Sequence, residues 1–380
     1  MRILELTSDW KWTGPAEPLV HAVVGLRARG HEVDAAFPDA PAGHAGALPE
    51  RARERGLLAA HVLAPGQGYL PLRDGREVRR LRAFLRQGRY DVVHAQHARA
   101  QILARLAARG SRTRVVASWA HGHPIPGGFW NRWLYGPRGC DGLTVLSEPL
   151  AADARARFGS TPERVAVVPG VVDASGFAPR VAPRALRDEL GLLPDQRVIG
   201  LVARLQPHRR VELVLEALAL ALREAPGLRL VVVGRGTRAK QVLEEPVAKL
   251  GLGRAVVRAG YRRDDFRDTI ALFDALVFVV PGSDGSCRAV LETMAMEIPT
   301  IASPRGVLPE TVAHGQTGVV CDETPEAFAA AFTDLWREPA RWQARGKAAR
   351  NRILERHTVA LQAERLERLY QACVETRERS

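Results

Sequence analysis

Two carboxylates, a pair of guanidiniums and a cluster of imidazoles stand just after apolar runs in this chain. Asp284 lies in the turn Pro281-Gly282-Ser283-Asp284-Gly285-Ser286, which follows the apolar run Ala275–Val280. Glu292, eight positions on, falls inside the helix expected over Ala289–Met296. A turn of this kind at the end of a strand is where an α/β sheet binds phosphate-bearing ligands. The unsatisfied N–H groups and positive dipole end of the following helix favour an anion. Gly285 and Ser286 begin that approach, and the two carboxylates can reach different hydroxyls of one ligand. Arg204 and Arg209 stand five residues apart in a second turn, Ala203-Arg204-Leu205-Gln206-Pro207-His208-Arg209-Arg210, again between a strand and a helix. Fixed cations beside a departing anion stabilise the transition state more than the ground state. Arg210 is an alternative for the second position, and two surface arginines in an arginine-rich chain are the alternative for both.

Three more turns carry candidate groups. Gly234-Arg235-Gly236-Thr237-Arg238-Ala239 follows a strand and has the form G-x-G-x-x-A. A dinucleotide site is rejected, because this strand is not the first of its domain and the next, Ala255–Ala259, does not end in an acid. Ser118-Trp119-Ala120-His121-Gly122-His123 also follows a strand. Its H-x-H spacing invites a metal, but with no third ligand nearby none is expected. His94 and His97 follow another strand end, with a cleft-lining role or a structural one open. In the loop Asp9–Ala16, Gly14 keeps the backbone open, and Trp10 and Trp12 either stack on ligand rings or cap the core.

The elements that must hold these turns alternate between strand-like and helix-like throughout, which predicts parallel sheets flanked by helices. In the first half strands are expected at Arg2–Leu6, His31–Phe37, Asp91–His94, Arg114–Ser118, Leu143–Ser147 and Arg164–Val168, with helices at Leu19–Arg29, Arg76–Arg86 and Gln101–Arg109. In the second, strands are expected at Val198–Val202, Leu228–Val233, Ala255–Ala259, Ala275–Val280 and Thr300–Ala302. Helices are expected at Val211–Glu224, Arg238–Leu250, Asp264–Ala271, Ala289–Met296 and Pro325–Arg337, and a basic connection leads to a last helix near 359–376. The predicted domains are 1–173 and 195–358, joined by a Pro-rich linker at 174–194.

With 380 residues, 46% of them apolar, the chain suits two globular domains. No apolar run approaches a membrane span, and the strand-like start suggests no signal peptide. Four scattered cysteines suggest isolated thiols in a reducing cytosol and no zinc site. A net charge of +13 favours anionic partners. Nucleic acid is not expected, since no binding motif appears and only 6% of residues are aromatic. Arg73, Arg76, Arg79, Arg80, Arg82, Arg86 and Arg89 surround only Asp74 and Glu77, either as a docking face for anionic lipid or as a solvated helix face.

At Asp284 and Glu292 the chain resembles the retaining GT-B glycosyltransferases, particularly glycosyltransferase family 4, whose E-x7-E signature has Glu where Asp284 stands. The resemblance covers essentially the whole chain. It implies an α/β GT-B fold, two Rossmann-like domains facing across a cleft, with the C-terminal helix (about 359–380) packing back onto the N-terminal domain. It implies that Asp284 contacts the transferred sugar, Glu292 the ribose, and Arg204 and Arg209 the diphosphate; the family usually has Lys where Arg209 stands. It places Gly234 in a Gly turn of the donor side, Tyr261 and Arg262 near the base, and His121 near the reacting sugar, with His123 its competitor. Gly14 and Trp12 fall in the loop that family members set against donor phosphates and acceptor. The implied activity is retaining transfer from a nucleotide sugar (UDP, GDP or ADP type) to a glycan or lipid-linked acceptor, in cell-surface polysaccharide or lipopolysaccharide assembly. No DxD motif appears, so no metal and no cofactor are expected. The implied location is cytoplasmic, peripheral on the inner face of the membrane. A nucleotide-sugar 2-epimerase and a catalytically silent GT-B binding protein are the alternatives.

Overall fold

The structure is a computed structural model that describes residues 1–12, 16–44, 46–66, 68–282 and 285–378. The chain divides into two compact units: residues 1–171 with 285–286 and 359–378, and residues 172–282 with 287–358.

The first unit holds a parallel sheet of β1 (Arg2–Thr7), β2 (Glu32–Pro38), β3 (Ala59–Leu63), β4 (Val92–Gln96), β5 (Arg114–Trp119), β6 (Gly142–Val145) and β7 (Val165–Val167). Its strand order is β3-β2-β1-β4-β5-β6-β7. Alternate residues of each strand face opposite layers. Leu4, Leu6, Val93 and Val115 pack with Leu81, Leu85 and Leu103 of the helices Pro71–Gly88 and Ala98–Ala108. Ile3, Val92 and Val116 pack on the other side with Leu19 and Val23 of helix Ala16–Ala28 and with Leu366 and Leu369 of the C-terminal helix Val359–Glu378. Those last two helices lie close because Gly25 has no side chain. A Cβ there would stand 2.9 Å from that of Ala363 and 3.0 Å from the Val359 carbonyl oxygen. His31 Nε2 pairs with Glu367 at 2.8 Å at their far end.

The second unit repeats the plan with β8 (Arg197–Val202), β9 (Leu228–Val233), β10 (Val256–Gly260), β11 (Ala275–Phe278), β12 (Thr300–Ala302) and β13 (Gly318–Val320), in the order β10-β9-β8-β11-β12-β13. All its strand pairs are parallel, and the strands carry near-continuous apolar runs because helices cover both faces.

Several expectations are corrected. The stretch 174–194, read as a linker, contains the helix Arg184–Glu189. The single helix expected over Arg238–Leu250 is a π-helical turn, Lys240–Glu244, followed by Glu245–Lys249. Pro246 lacks the N–H that an unbroken α-helix would need there. The basic connection is an 18-residue helix, Pro339–Arg356. Its buried Trp342, Ala349 and Ile353 repeat at helical spacing, hidden in sequence among the cations around them. Helices Leu48–Arg53, Phe129–Tyr135 and Glu148–Phe158, and strands β3 and β13, are further elements. All four cysteines are buried and free, and burial pushes the Cys140 and Cys373 thiols up to about 12.

Candidate functional site

In an open parallel sheet, a ligand crevice forms outside the carboxyl ends of two neighbouring strands whose connections run in opposite directions. In the second unit those strands are β8 and β11. The turn carrying Arg204 and Arg209 leaves β8, and the turn leading to Glu292 leaves β11. Arg204 is exposed and makes no ion pair among the described residues. Arg209 is half-buried and donates from Nη1 to the Val280 carbonyl at 2.8 Å. Its Nη2 lies 2.6 Å from where a Cβ on Gly282 would sit, so the guanidinium is folded under the β11 turn. Arg210 takes the left-handed conformation (φ 54°) and pairs with Glu323, which Arg305 also holds. Arg305, opposed by partial burial and helped by Arg210, holds the Glu323 carboxyl below its usual range. Arg210 thus serves a surface ion-pair network, which separates it from Arg209.

Gly234 and Gly236 act on the same turn. A Cβ on Gly234 (φ 145°) would stand 1.9 Å from the Ala203 carbonyl oxygen, and one on Gly236 2.1 Å from that of Leu205. Only glycine lets the β9 turn lie against the backbone on either side of Arg204, where Leu205 N–H bonds the Arg235 carbonyl at 3.2 Å. Replacing Gly234 by Ala is expected to cost about 1–3 kcal/mol from backbone strain alone and to displace Arg204. Urea unfolding checks this; an unchanged midpoint contradicts it.

Tyr261 is exposed beyond β10, with the Arg235 guanidinium 4.4 Å from its ring centre. The Arg262 side chain donates to the Ala259 carbonyl at 2.8 Å, Asp265 at 2.7 Å and Glu189 at 2.6 Å. Glu292 is buried in helix Arg288–Ala295, with Arg288 at 3.5 Å. Cys287, at the start of this helix, has φ 53°, a conformation that costs a side-chain-bearing residue strain and recurs at binding turns. Asp284 lies outside the described residues.

In the first unit the reversal falls between β1 and β4. Thr7 Oγ1 meets His97 Nδ1 at 3.0 Å there, with His97 at φ 70°. Burial, opposed by Asp9, lowers the His97 pKa. Trp12 packs beside the apolar core and under the Arg55 guanidinium, 5.2 Å away; Gly14 lies outside the described residues. His121 is half-buried at the end of β5, its ring 4.4 Å from that of Trp119 and 5.3 Å from that of His123. The exposed His123 keeps Trp119 in place through its carbonyl, which accepts from Trp119 Nε1 at 2.7 Å. Gly285 N–H donates to the Ala120 carbonyl at 3.0 Å. A Cβ on Gly285 would stand 2.2 Å from the Gly122 nitrogen. Gly285 and buried Ser286 therefore adjoin the His121 turn. Among the described residues, no three His, Cys, Asp or Glu side chains come together as a metal set.

One group of residues escaped the sequence reading. His94, the last residue of the expected strand Asp91–His94, is buried inside β4. It joins Glu5 of β1, Ser118 of β5 and Tyr370 of the C-terminal helix in one hydrogen-bonded chain. The signal available was Glu5 itself, a carboxylate inside the apolar run Arg2–Thr7.

The family described as "Glycosyl transferases group 1" matches residues 184–352, and "Glycosyltransferase Family 4" matches residues 19–175. The GDP-mannose-dependent alpha-(1-6)-phosphatidylinositol monomannoside mannosyltransferase of Mycolicibacterium smegmatis is 30% identical over 274 residues, 67% of this chain and 69% of its own. The D-inositol 3-phosphate glycosyltransferase of Segniliparus rotundus is 30% identical over 223 residues, 55% of this chain and 47% of its own. The chain thus spans about half the length of that relative. Among solved structures, HepE of Anabaena in complex with UDP has a TM-score of 0.80 at 18% identity, covering 98% of this chain and 100% of its own. With two Rossmann-like units of parallel strands, the molecule has the GT-B fold. The chain belongs to the glycosyltransferases of group 1 and family 4.

Proposed function

We propose that this protein moves a sugar from a nucleotide-sugar donor to a hydroxyl of a glycan or lipid-linked acceptor, with retention at the anomeric carbon and without a metal. The observation that carries this reading is the pair of turns at the β8–β11 reversal. They bring Arg204, Arg209 and the start of helix Arg288–Ala295 to one edge of one sheet. In this reading Arg204 and Arg209 bind the diphosphate and stabilise its charge as the glycosidic bond breaks. Glu292 grips the ribose, and Tyr261 lies beside the base. Asp284 contacts the transferred sugar, while His121, which can donate to a hydroxyl, faces the reacting carbon. The UDP-bound HepE structure and the GDP-mannose-dependent relative support a nucleotide-sugar donor.

A thermal-shift screen with UDP, GDP and ADP and their sugars tests this, followed by turnover with and without EDTA. One nucleotide is expected to raise Tm, by about 2.7 kcal/mol of stabilisation at a hundredfold excess over Kd. Turnover is expected to survive EDTA. No shift with any nucleotide rejects the reading, and loss of turnover in EDTA rejects metal independence.

We also propose that the arginine-rich helix docks on anionic lipid. No helix among the described residues is long and apolar enough to cross a membrane. Helix Pro71–Gly88 exposes Arg76, Arg79 and Arg80, and Leu72 at its start is 99% exposed. Arg82 is excluded from the face, because it donates to the Leu106 carbonyl at 2.8 Å. Replacing Arg76, Arg79 and Arg80 by Ala is expected to weaken binding to phosphatidylserine vesicles roughly a hundredfold, at about 1 kcal/mol per arginine. Unchanged co-sedimentation removes the proposal.

A further inference from the structure

At the carboxyl edge of the first sheet, a recess of about 50 Å³ opens between the ends of β4, β5 and β6 and the C-terminal helix. That volume holds more than one water. Its polar lining is His94, Gln96, Ser118, Thr144, Ser286 and Gln362, and no Lys, Arg, Asp or Glu among the described residues lines it.

The hydrogen-bonded chain behind the recess fixes what its hydroxyls offer. Tyr370 O–H donates to Glu5 Oε1 at 2.8 Å. The Tyr370 oxygen, having given its proton away, accepts from His94 Nδ1 at 2.7 Å. In the neutral imidazole, with its one proton on Nδ1, His94 Nε2 accepts, and Ser118 Oγ donates to it at 2.7 Å. Ser118 Oγ then accepts from Thr144 Oγ1 at 2.8 Å. Both hydroxyl protons are consumed inward, which leaves oxygen lone pairs for a ligand. Gln362 also lines the recess, its Nε2 donating to the Pro18 carbonyl at 3.2 Å.

A recess that turns the Ser118 and Thr144 oxygens outward as acceptors, with no cation among its described lining residues, suits a ligand that brings O–H donors and no charge. A phosphate dianion brings no donor. We propose that this recess is a carbohydrate subsite that takes the uncharged, hydroxyl-bearing edge of a sugar or polyol and rejects its phosphorylated form. Glu5, Tyr370 and His94 are positioning residues that hold Ser118 and Thr144 as acceptors. The assignment rests on the glycosyltransferase reading. The hydroxylated edge can belong to the donor sugar or to the acceptor.

The test uses the full chain and two sets of probes. Saturation-transfer NMR reads free mannose, glucose and myo-inositol against mannose 6-phosphate. Calorimetry reads UDP and GDP against UDP-glucose and GDP-mannose. Thr144→Val keeps the side-chain shape and removes the hydroxyl; Ser118→Ala is the second variant, and both are compared at matched folded fraction. At least one free sugar or polyol is expected to bind the wild type and to lose about threefold to tenfold in affinity in either variant, the effect of one neutral hydrogen bond. Affinity for the bare nucleotide is expected to stay unchanged. If the edge belongs to the donor, the nucleotide sugar weakens with the free sugar; if to the acceptor, the nucleotide sugar is unaffected. The subsite is overturned if no free sugar or polyol binds the wild type, if the phosphate binds as well as the sugar, or if neither variant alters sugar binding. Failure of every nucleotide to bind the wild type strikes instead at the glycosyltransferase reading.

Discussion

Replacing Arg209 by Ala is expected to lower kcat by about 10²- to 10³-fold, the usual consequence of losing a fixed group aimed at developing charge. Arg209 is held in place before any ligand arrives. Its Nη1 bonds the Val280 carbonyl at 2.8 Å, and its other terminal nitrogen lies under Gly282. In the proposed reaction, a cation already oriented by the protein needs little reorganisation as the diphosphate leaves. Arg209→Lys keeps the charge but loses the planar fork that reaches Val280, so it is expected to recover only part of the rate. Arg210→Ala is the comparison. Arg210 pairs with Glu323, which keeps Arg305 as a partner, so its loss is expected to leave kcat within a few-fold. Initial rates at saturating donor, with a melting curve for each variant, give the answer. Equal losses at 209 and 210 would refute a special role for Arg209.

The second large effect concerns stability. Asp74→Ala is expected to destabilise the first unit by about 3–5 kcal/mol, because it strands the Arg99 charge in the interior. Asp74 and Arg99 are both fully buried and meet at 2.7 Å. Asp74 also accepts from Leu70 N–H at 2.8 Å and from Arg73 at 2.9 Å. A drop of that size lowers Tm by roughly 6–20 °C in a unit of this size. Removing both charges, as Asp74→Leu with Arg99→Met, is expected to recover much of the loss, since an apolar pair can replace a buried ion pair. A single variant that melts with the wild type would contradict the burial.

The same pair sets an acid limit. Burial opposes the Asp74 charge, but hydrogen bonds from Arg73, Arg99 and Leu70 N–H outweigh it and hold the carboxyl well below its usual range. The folded pKa is depressed, so its contribution is fully present above the unfolded value, about 4, and is lost as pH falls below it toward the folded pKa. Urea midpoints from pH 5 down to pH 2 should decline accordingly, and less steeply in the apolar double variant.

Much was legible in the sequence because it is written locally. Apolar runs such as Ala275–Val280 and Leu228–Val233 mark strands, helical spacing marks Pro325–Arg337, and Pro and Gly mark the turns between them. Turns after strands gather at one edge of a parallel sheet, so Arg204, Arg209, Gly234 and Glu292 could be assigned to one region before any coordinates. Helix Pro339–Arg356 was missed because its buried face is thin and its composition is dominated by cations. The acids of the arginine-rich helix read as surface charge, yet Asp74 and Glu77 point inward, Glu77 to His61 Nε2 at 3.0 Å.

The chain alone thus determined the kind of layers, the turns that carry the candidate residues and the sign of charge at them, since propensity, periodicity and ionisation belong to single residues and their near neighbours. Tertiary structure decided which of two adjacent arginines lies under the β11 turn, and that Gly234 serves backbone approach. It alone joined Glu5 and Tyr370, 365 positions apart, to one histidine. A hydrogen bond is satisfied by whatever the fold brings within about 3 Å, and sequence separation does not constrain that.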